Sequence, residues 1–182
     1  MKIPDNAKRV FKGKIFDVYQ WPQRMFDGSV ETFEMVKRPN TIEVIPTVGD
    51  RIYIAEQEQP NYGLRKSFFG GRQEEGEEPI DTAKRELLEE SGLESGDWEL
   101  IKVFRPLFKL EWEVYVFVAR NCRKTSGQRL DPGERITPVA VSFDEFVDFV
   151  SSRDFWGREF SDELYRLKIE GRLDEIKKKL FR

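Results

Sequence analysis

The chain has 182 residues, enough for one domain with a sizeable core, and 36% of them are charged, against a usual ~25%. Acids and bases nearly balance at a net charge of −3, which leaves no basic footprint for nucleic acid, and the absence of histidine removes imidazole as a base or metal ligand. The single cysteine, Cys122, excludes an internal disulfide, no apolar run reaches the ~18 residues of a membrane span, and Met1-Lys2-Ile3-Pro4-Asp5 does not read as a signal peptide, so a reducing cytoplasm is expected.

In chain order, Val10, Ile15, Phe16, Val18 and Tyr19, interrupted by Gly13, predict one or two short strands over 9–20. Asp27-Gly28 is a hairpin turn signal, and 29–37 returns as a strand. Lys37-Arg38-Pro39-Asn40 marks a boundary, followed by core strands at 41–48 and 51–56 about a Gly49-Asp50 turn. Residues 57–66 are polar, contain Pro60 and Gly63, and read as a loop. Gly70 and Gly71 then allow the backbone to approach a ligand closely.

Further on, strands are expected at 98–104, 112–119 and 136–141, with a long polar loop over 120–134. Ser142 and Glu145 form a capping-box pattern ahead of Phe143, Phe146, Val147 and Val150, which predicts an amphipathic helix. A last helix is expected from near Ser161, with a break at Gly171 and a resumption through Leu173, Ile176 and Leu180. Such a mixture of strands and helices fits an α/β fold, an α/β/α sandwich around a central mixed β-sheet.

The most informative stretch is 71–93. Pro79 and Asp81 suit the first turn of a helix and Gly92 suits its C-terminal cap. On that helix Ile80, Ala83 and Leu87 make an apolar stripe, and Glu86, Glu89 and Glu90 fall within an arc of roughly 100°. Three neighbouring carboxylates repel unless something positive joins them, and their hard oxygens suit Mg²⁺ or Mn²⁺. A solvated acidic face is the plainer alternative.

Gly71, Glu77, Arg85, Glu86, Leu87, Glu89, Glu90, Gly92 and Leu93 meet every fixed position of G-x5-E-x7-R-E-U-x-E-E-x-G-U, with U aliphatic. The chain thereby resembles the Nudix hydrolases, which split a diphosphate joining a nucleoside to another group. The resemblance implies that Glu86, Glu89 and Glu90 ligate Mg²⁺, with Mn²⁺ able to substitute, and that the Gly71 carbonyl adds an oxygen. It pairs Arg85 with Glu77, a contact that holds the catalytic loop to the helix and whose main role is that of a structural ion pair.

Over nearly its whole length the chain resembles the ADP-ribose pyrophosphatase-like branch, which places its general base in a loop after the box. Glu134, in Asp131-Pro132-Gly133-Glu134, stands at the corresponding place; Glu90 is the alternative. The same branch implies substrate contacts from Phe16, Gln57 and Glu111. Two departures stand out. Gln57-Glu58-Gln59 lacks the Arg of the branch's Gln-Tyr-Arg, and Ser67-Phe68-Phe69-Gly70-Gly71 replaces Glu-x-Pro-x-Gly. Arg65, Lys66 or Lys109 could supply the lost charge, and Tyr19, Trp21 or Trp112 could add stacking. Residues 1–38 resemble the hairpin extension through which the branch forms homodimers, with 39–182 as the hydrolase domain.

The expected substrate is a nucleotide-type small molecule, ADP-ribose or a related nucleotide sugar. A dinucleotide such as NADH is the enzymatic alternative. A non-catalytic nucleotide-binding module is a third reading, disfavoured because every box carboxylate is kept.

Overall fold

The computed structural model describes residues 2–182. The chain opens with strands β1 (Lys8–Lys12), β2 (Asp17–Arg24) and β3 (Val30–Lys37), then β4 (Thr41–Val48), β5 (Arg51–Gln59), β6 (Tyr62–Ser67) and β7 (Phe69–Arg72). Helix α1 (Pro79–Ser91) follows, then β8 (Leu93–Glu94), β9 (Asp97–Phe104), β10 (Leu110–Glu111), β11 (Val114–Arg120), β12 (Arg123–Lys124) and β13 (Arg135–Val141). The C-terminal part is α2 (Phe143–Val150), β14 (Phe155–Trp156), α3 (Arg158–Ile169) and α4 (Leu173–Phe181).

The central sheet is mixed: β11 runs parallel to β4 and antiparallel to β9. Side chains alternate across it, as a pleated strand requires. Ile42 and Val44 of β4, with Phe117 and Ala119 of β11, face α1 through Ala83 and Leu87. Ile45, Val114, Val116 and Val118 point the other way, onto Phe146, Phe160, Leu164, Ile176 and Leu180 of α2, α3 and α4. The carboxylate helix and the C-terminal helices therefore cover opposite faces, as expected. Leu87 is fully buried, a contribution of about 1.5–3 kcal/mol.

Local signals act where predicted. Gly28 takes φ +86 in the β2–β3 turn while Asp27 Oδ1 accepts from the Ser29 N–H at 3.0 Å. Gly92 takes φ +68, and its N–H closes α1 onto the Leu88 carbonyl. The Ser142–Glu145 capping box is complete, and Gly171 separates α3 from α4 at φ +68.

Three expectations are corrected. Residues 57–66 are not a loop: β5 runs on to Gln59 and β6 returns from Tyr62, with Gln57 opposite Arg65. This hairpin has mostly exposed or half-exposed faces, so no apolar alternation marks it. Its backbone is nevertheless satisfied by β6 and by β13, where Arg135 pairs with Glu58. The strand expected at 112–119 begins at Val114, because the Glu113 N–H donates to Asn40 Oδ1 and the Trp112 indole to Thr41 Oγ1. Helix α3 starts at Arg158 rather than near Ser161, whose buried hydroxyl donates to the Val150 carbonyl instead of capping.

The N-terminal strands form their own sheet in the order β1-β2-β3-β10, and the short parallel β3–β10 pairing ties it to the rest.

Candidate active site

Strand β7 and helix α1 build the site between them. Gly71 pairs with Ile42 on β4, which sets the β7 backbone against the helix face. A Cβ on Gly71 would lie 2.4 Å from Glu86 Oε1, so only glycine leaves room for that carboxylate. The Gly70 N–H donates to Glu90 Oε2 at 2.6 Å.

Arg85 is the cation of the cluster. Its Nε and Nη2 donate to the two oxygens of Glu77 at 2.9 and 3.1 Å, a bidentate clamp of loop to helix. Its Nη1 reaches Glu86 Oε1 at 2.8 Å and Glu89 Oε2 at 3.3 Å. Thr82 Oγ1 also donates to Glu77, and together with Arg85 it holds that carboxyl down at about 2. The Arg85 guanidinium is held charged in return.

The other carboxylates are pushed the opposite way. Burial raises Glu90 well above its ordinary range, and the charges of Glu86, Glu134 and Glu89 add to it. Burial likewise raises Glu86, against the pull of Arg85. Glu134 is raised by burial, then by Asp131 and Glu89. The loop carboxylate therefore stands within electrostatic reach of all three helix carboxylates, although more than forty residues separate it from them in sequence. Its backbone N–H donates to the Asp131 carbonyl at 2.9 Å, which shapes the turn that brings it in.

Glu77, Glu86 and Glu89 are thus gathered around one guanidinium, with Glu90 held by the Gly70 N–H and Glu134 in the field of the helix carboxylates. Among the described residues, no three of them already surround one point as a closed ligand set. Their chemistry fits a hard divalent cation. Oxygen donors crowd together, the ionised forms of Glu86 and Glu90 are disfavoured first by burial and then by neighbouring carboxylates, and the glycine at 71 gives the Glu86 carboxylate its place.

A cleft of about 1030 Å³ opens beside the loop that leads to Glu77. Gln73, Glu74 and Glu75 of that loop line it, together with Lys12, Ile15, Asp17 and Tyr19 of the hairpin. Glu111 lies on its wall, ion-paired with Lys37 at 2.8 Å and accepting from the Ile3 N–H at 2.6 Å. Arg38 stands over Trp112, 4.9 Å from the ring centroid, and 5.8 Å from that of the half-exposed Phe16.

Other residues singled out from the sequence are engaged elsewhere. Gln57 Nε2 donates to Ser67 Oγ at 2.6 Å. Arg65 pairs with Asp154 at 3.4 Å, Lys66 lies 3.6 Å from the Phe149 ring centroid, and Lys109 is 5.0 Å from that of Phe33. Trp21 is buried against Phe33. Sequence reading passed over Arg38 and Arg72, because an Arg before Pro39 and one inside the box's variable stretch carry no pattern of their own.

A model of the NUDIX domain matches residues 37–165. The chain is 27% identical over 175 residues to an ADP-ribose pyrophosphatase of Bacillus subtilis (strain 168), covering 93% of this chain and 94% of that one. It is 27% identical over 153 residues to a methanol dehydrogenase activator of Bacillus methanolicus, covering 81% and 82%. The crystal structure of an ADP compounds hydrolase shares the fold, with a TM-score of 0.71 over 92% of this chain and 95% of that one at 22% identity. With the box complete, its carboxylates gathered on one helix face and most of the chain matched, the protein belongs to the Nudix family, as a Nudix hydrolase of the ADP-ribose pyrophosphatase-like kind.

Proposed function

We propose that the protein hydrolyses ADP-ribose, or a closely related nucleotide sugar, to AMP and ribose 5-phosphate, and that Mg²⁺ is its working metal. The observation that carries this reading is the cleft. It lies between the loop leading to Glu77 and the hairpin and offers a half-buried Trp112–Arg38 stack where a nucleoside could lie. The similarity to an ADP-ribose pyrophosphatase supports the same substrate class.

In this reading Glu86, Glu89, Glu90 and the Gly71 carbonyl would hold the metal. When bound, a divalent cation supplies charge neutralisation at the diphosphate and a water that yields its proton more readily. Glu134 takes that proton. The new bond forms between the water oxygen and one phosphorus as the bridging P–O bond breaks, and the two monophosphates leave. Arg85 and Glu77 position the loop against the helix. Phe16 and Glu111 bound the nucleoside end, with Gln57 and Arg65 further out on the β5–β6 hairpin. Residues 1–38 act as a dimerisation extension to a hydrolase domain at 39–182. The protein works in the cytoplasm; among the described residues no helix is long and apolar enough to cross a membrane.

A product-resolved screen over nucleotide sugars, dinucleotides and nucleoside triphosphates tests this. AMP and ribose 5-phosphate from ADP-ribose, at the highest kcat/KM of the panel, is the expected result. A clear preference for NADH would replace the substrate, and turnover of none would replace the function.

A further inference from the structure

One short stretch of chain, 124–129, finishes the C-terminal end of α1. A helix leaves its last four carbonyls without partners of its own, and in α1 these belong to Leu88, Glu89, Glu90 and Ser91. The Gly92 N–H takes the first at 2.8 Å. The Arg129 N–H donates to the Glu89 carbonyl at 2.8 Å, Gln128 Nε2 to that of Glu90 at 2.6 Å, and Lys124 Nζ to that of Ser91 at 2.6 Å. Thr125 adds its N–H to the Gly92 carbonyl at 2.9 Å. The stretch that completes the helix therefore holds the turn from which Glu89 and Glu90 project.

Gln128 reaches further than the other donors. Its Nε2 carries two N–H groups, and it donates also to the Ile136 carbonyl at 2.9 Å. Ile136 is buried on β13, two residues after Glu134. One carboxamide thus ties the end of α1 to the strand that follows Glu134, and among the described residues no other side chain hydrogen-bonds both. Between Gln128 and Ile136 the chain rests on Leu130, packed against the core, and runs past Pro60 at Gly133. The Glu134 carboxylate has no side-chain partner among the described residues; its one donor is the Asp131 N–H, at 3.4 Å. Where it stands is therefore set by the backbone at the two ends of its loop, and Gln128 holds both ends together.

We infer that Gln128 is a positioning residue for the general base: its carboxamide fixes the Glu134 loop against the turn of α1 that carries Glu89 and Glu90. This rests on the proposed role of Glu134. A base must stand within hydrogen-bond reach of the proton it takes, and a misplacement of about 1 Å costs on the order of 10²-fold in rate. Gln128 acts through Glu134 and not on the reacting atoms.

The test is a cycle of Gln128→Met, Glu134→Gln and the double variant. Met keeps the length of the side chain and removes both donors. The substrate is the one of the screened panel with the highest kcat/KM, ADP-ribose by expectation, so a different substrate replaces the proposed function without touching the inference. Gln128→Met should lower kcat by about 10- to 100-fold with KM close to wild type. In the Glu134→Gln background it should lower kcat no further, because the group it positions is gone. Hydrogen exchange of the unliganded protein gives a readout without turnover: peptides within 129–135 should exchange about 10-fold faster in Gln128→Met, and those of β4 and β11 should not change. An equal loss of kcat in both backgrounds would mark a merely structural contact and overturn the inference, as would unchanged exchange over 129–135. Wild-type kcat in Gln128→Met, with Glu134→Gln damaged, would overturn the inference alone. Wild-type kcat in Glu134→Gln, or turnover of no substrate, would overturn it together with the reading on which it rests.

Discussion

Gly71 and Glu86 are placed so that the first must lack a side chain for the second to stay where it is: an added Cβ would stand 2.4 Å from Glu86 Oε1 and 2.7 Å from its carboxyl carbon. The obstructed group is the movable end of a side chain, so Gly71→Ala should fold and displace the carboxylate. Activity is expected to fall by ~10²-fold, the scale of one preorganised electrostatic contact, with an unfolding temperature close to wild type. Near-normal kcat in Gly71→Ala would mean that Glu86 does not work from its observed place.

Metal dependence follows from a carboxylate cluster whose one guanidinium, Arg85, reaches only Glu77, Glu86 and Glu89. EDTA should abolish hydrolysis, and Mg²⁺ or Mn²⁺ should restore it. Glu86→Gln and Glu90→Gln should each lower kcat by at least ~10²-fold and weaken metal binding measured by calorimetry. Hydrolysis that continues in chelator would end the metal assignment.

Glu134 and Glu90 are separable as general base. Glu134→Gln should cost on the order of 10²–10⁴ in kcat with metal affinity nearly unchanged, whereas Glu90→Gln should damage both. Burial raises the Glu134 carboxyl, so the rate should fall as pH drops through a value above the ordinary carboxylate range, and that acidic limb should flatten in Glu134→Gln. Wild-type kcat in Glu134→Gln would move the base onto the helix.

On the far face of β4, Glu43 has no use in the proposed chemistry. Its Oε2 is buried without a partner, and burial, followed by the charge of Glu159, pushes its carboxyl from 4.5 up to about 8. The folded state thus binds this proton more tightly than the unfolded state. Its stabilising contribution is full below about pH 4.5, declines as pH rises towards 8, and is gone above that, at roughly 1.4 kcal/mol per pH unit. Glu43→Gln should therefore melt close to wild type at pH 5 and increasingly above it up to pH 8. A melting difference that is the same at pH 5 and pH 8 would show that Glu43 titrates normally.

The hairpin sheet exposes Val10, Phe11, Phe16, Phe26 and Val30, with Phe26 wholly in solvent. Apolar surface of this kind is costly unless a partner covers it. Light scattering at micromolar concentration should give twice the 21.5 kDa chain mass, and Phe26→Asp with Val30→Asp should halve it. A monomeric wild type would remove the dimer.

By itself the sequence determined what short-range geometry governs. Helix periodicity placed Glu86, Glu89 and Glu90 on one face of α1, and Gly92 and the Ser142–Glu145 box marked helix ends, because each depends on residues within about one turn. Near-continuous apolar runs marked β4 and β11, since each buries both faces. The β5–β6 hairpin was illegible for the complementary reason. Its strands satisfy their backbones through ladder partners without burying a face, and β13, one of those partners, lies more than seventy residues away. Tertiary structure alone decided the rest of the site. It set Arg38 on Trp112, brought Glu134 within reach of α1 and trapped Glu43 without a partner. Charge and burial depend on distance in space, and that distance is fixed only when strands remote in sequence take their register.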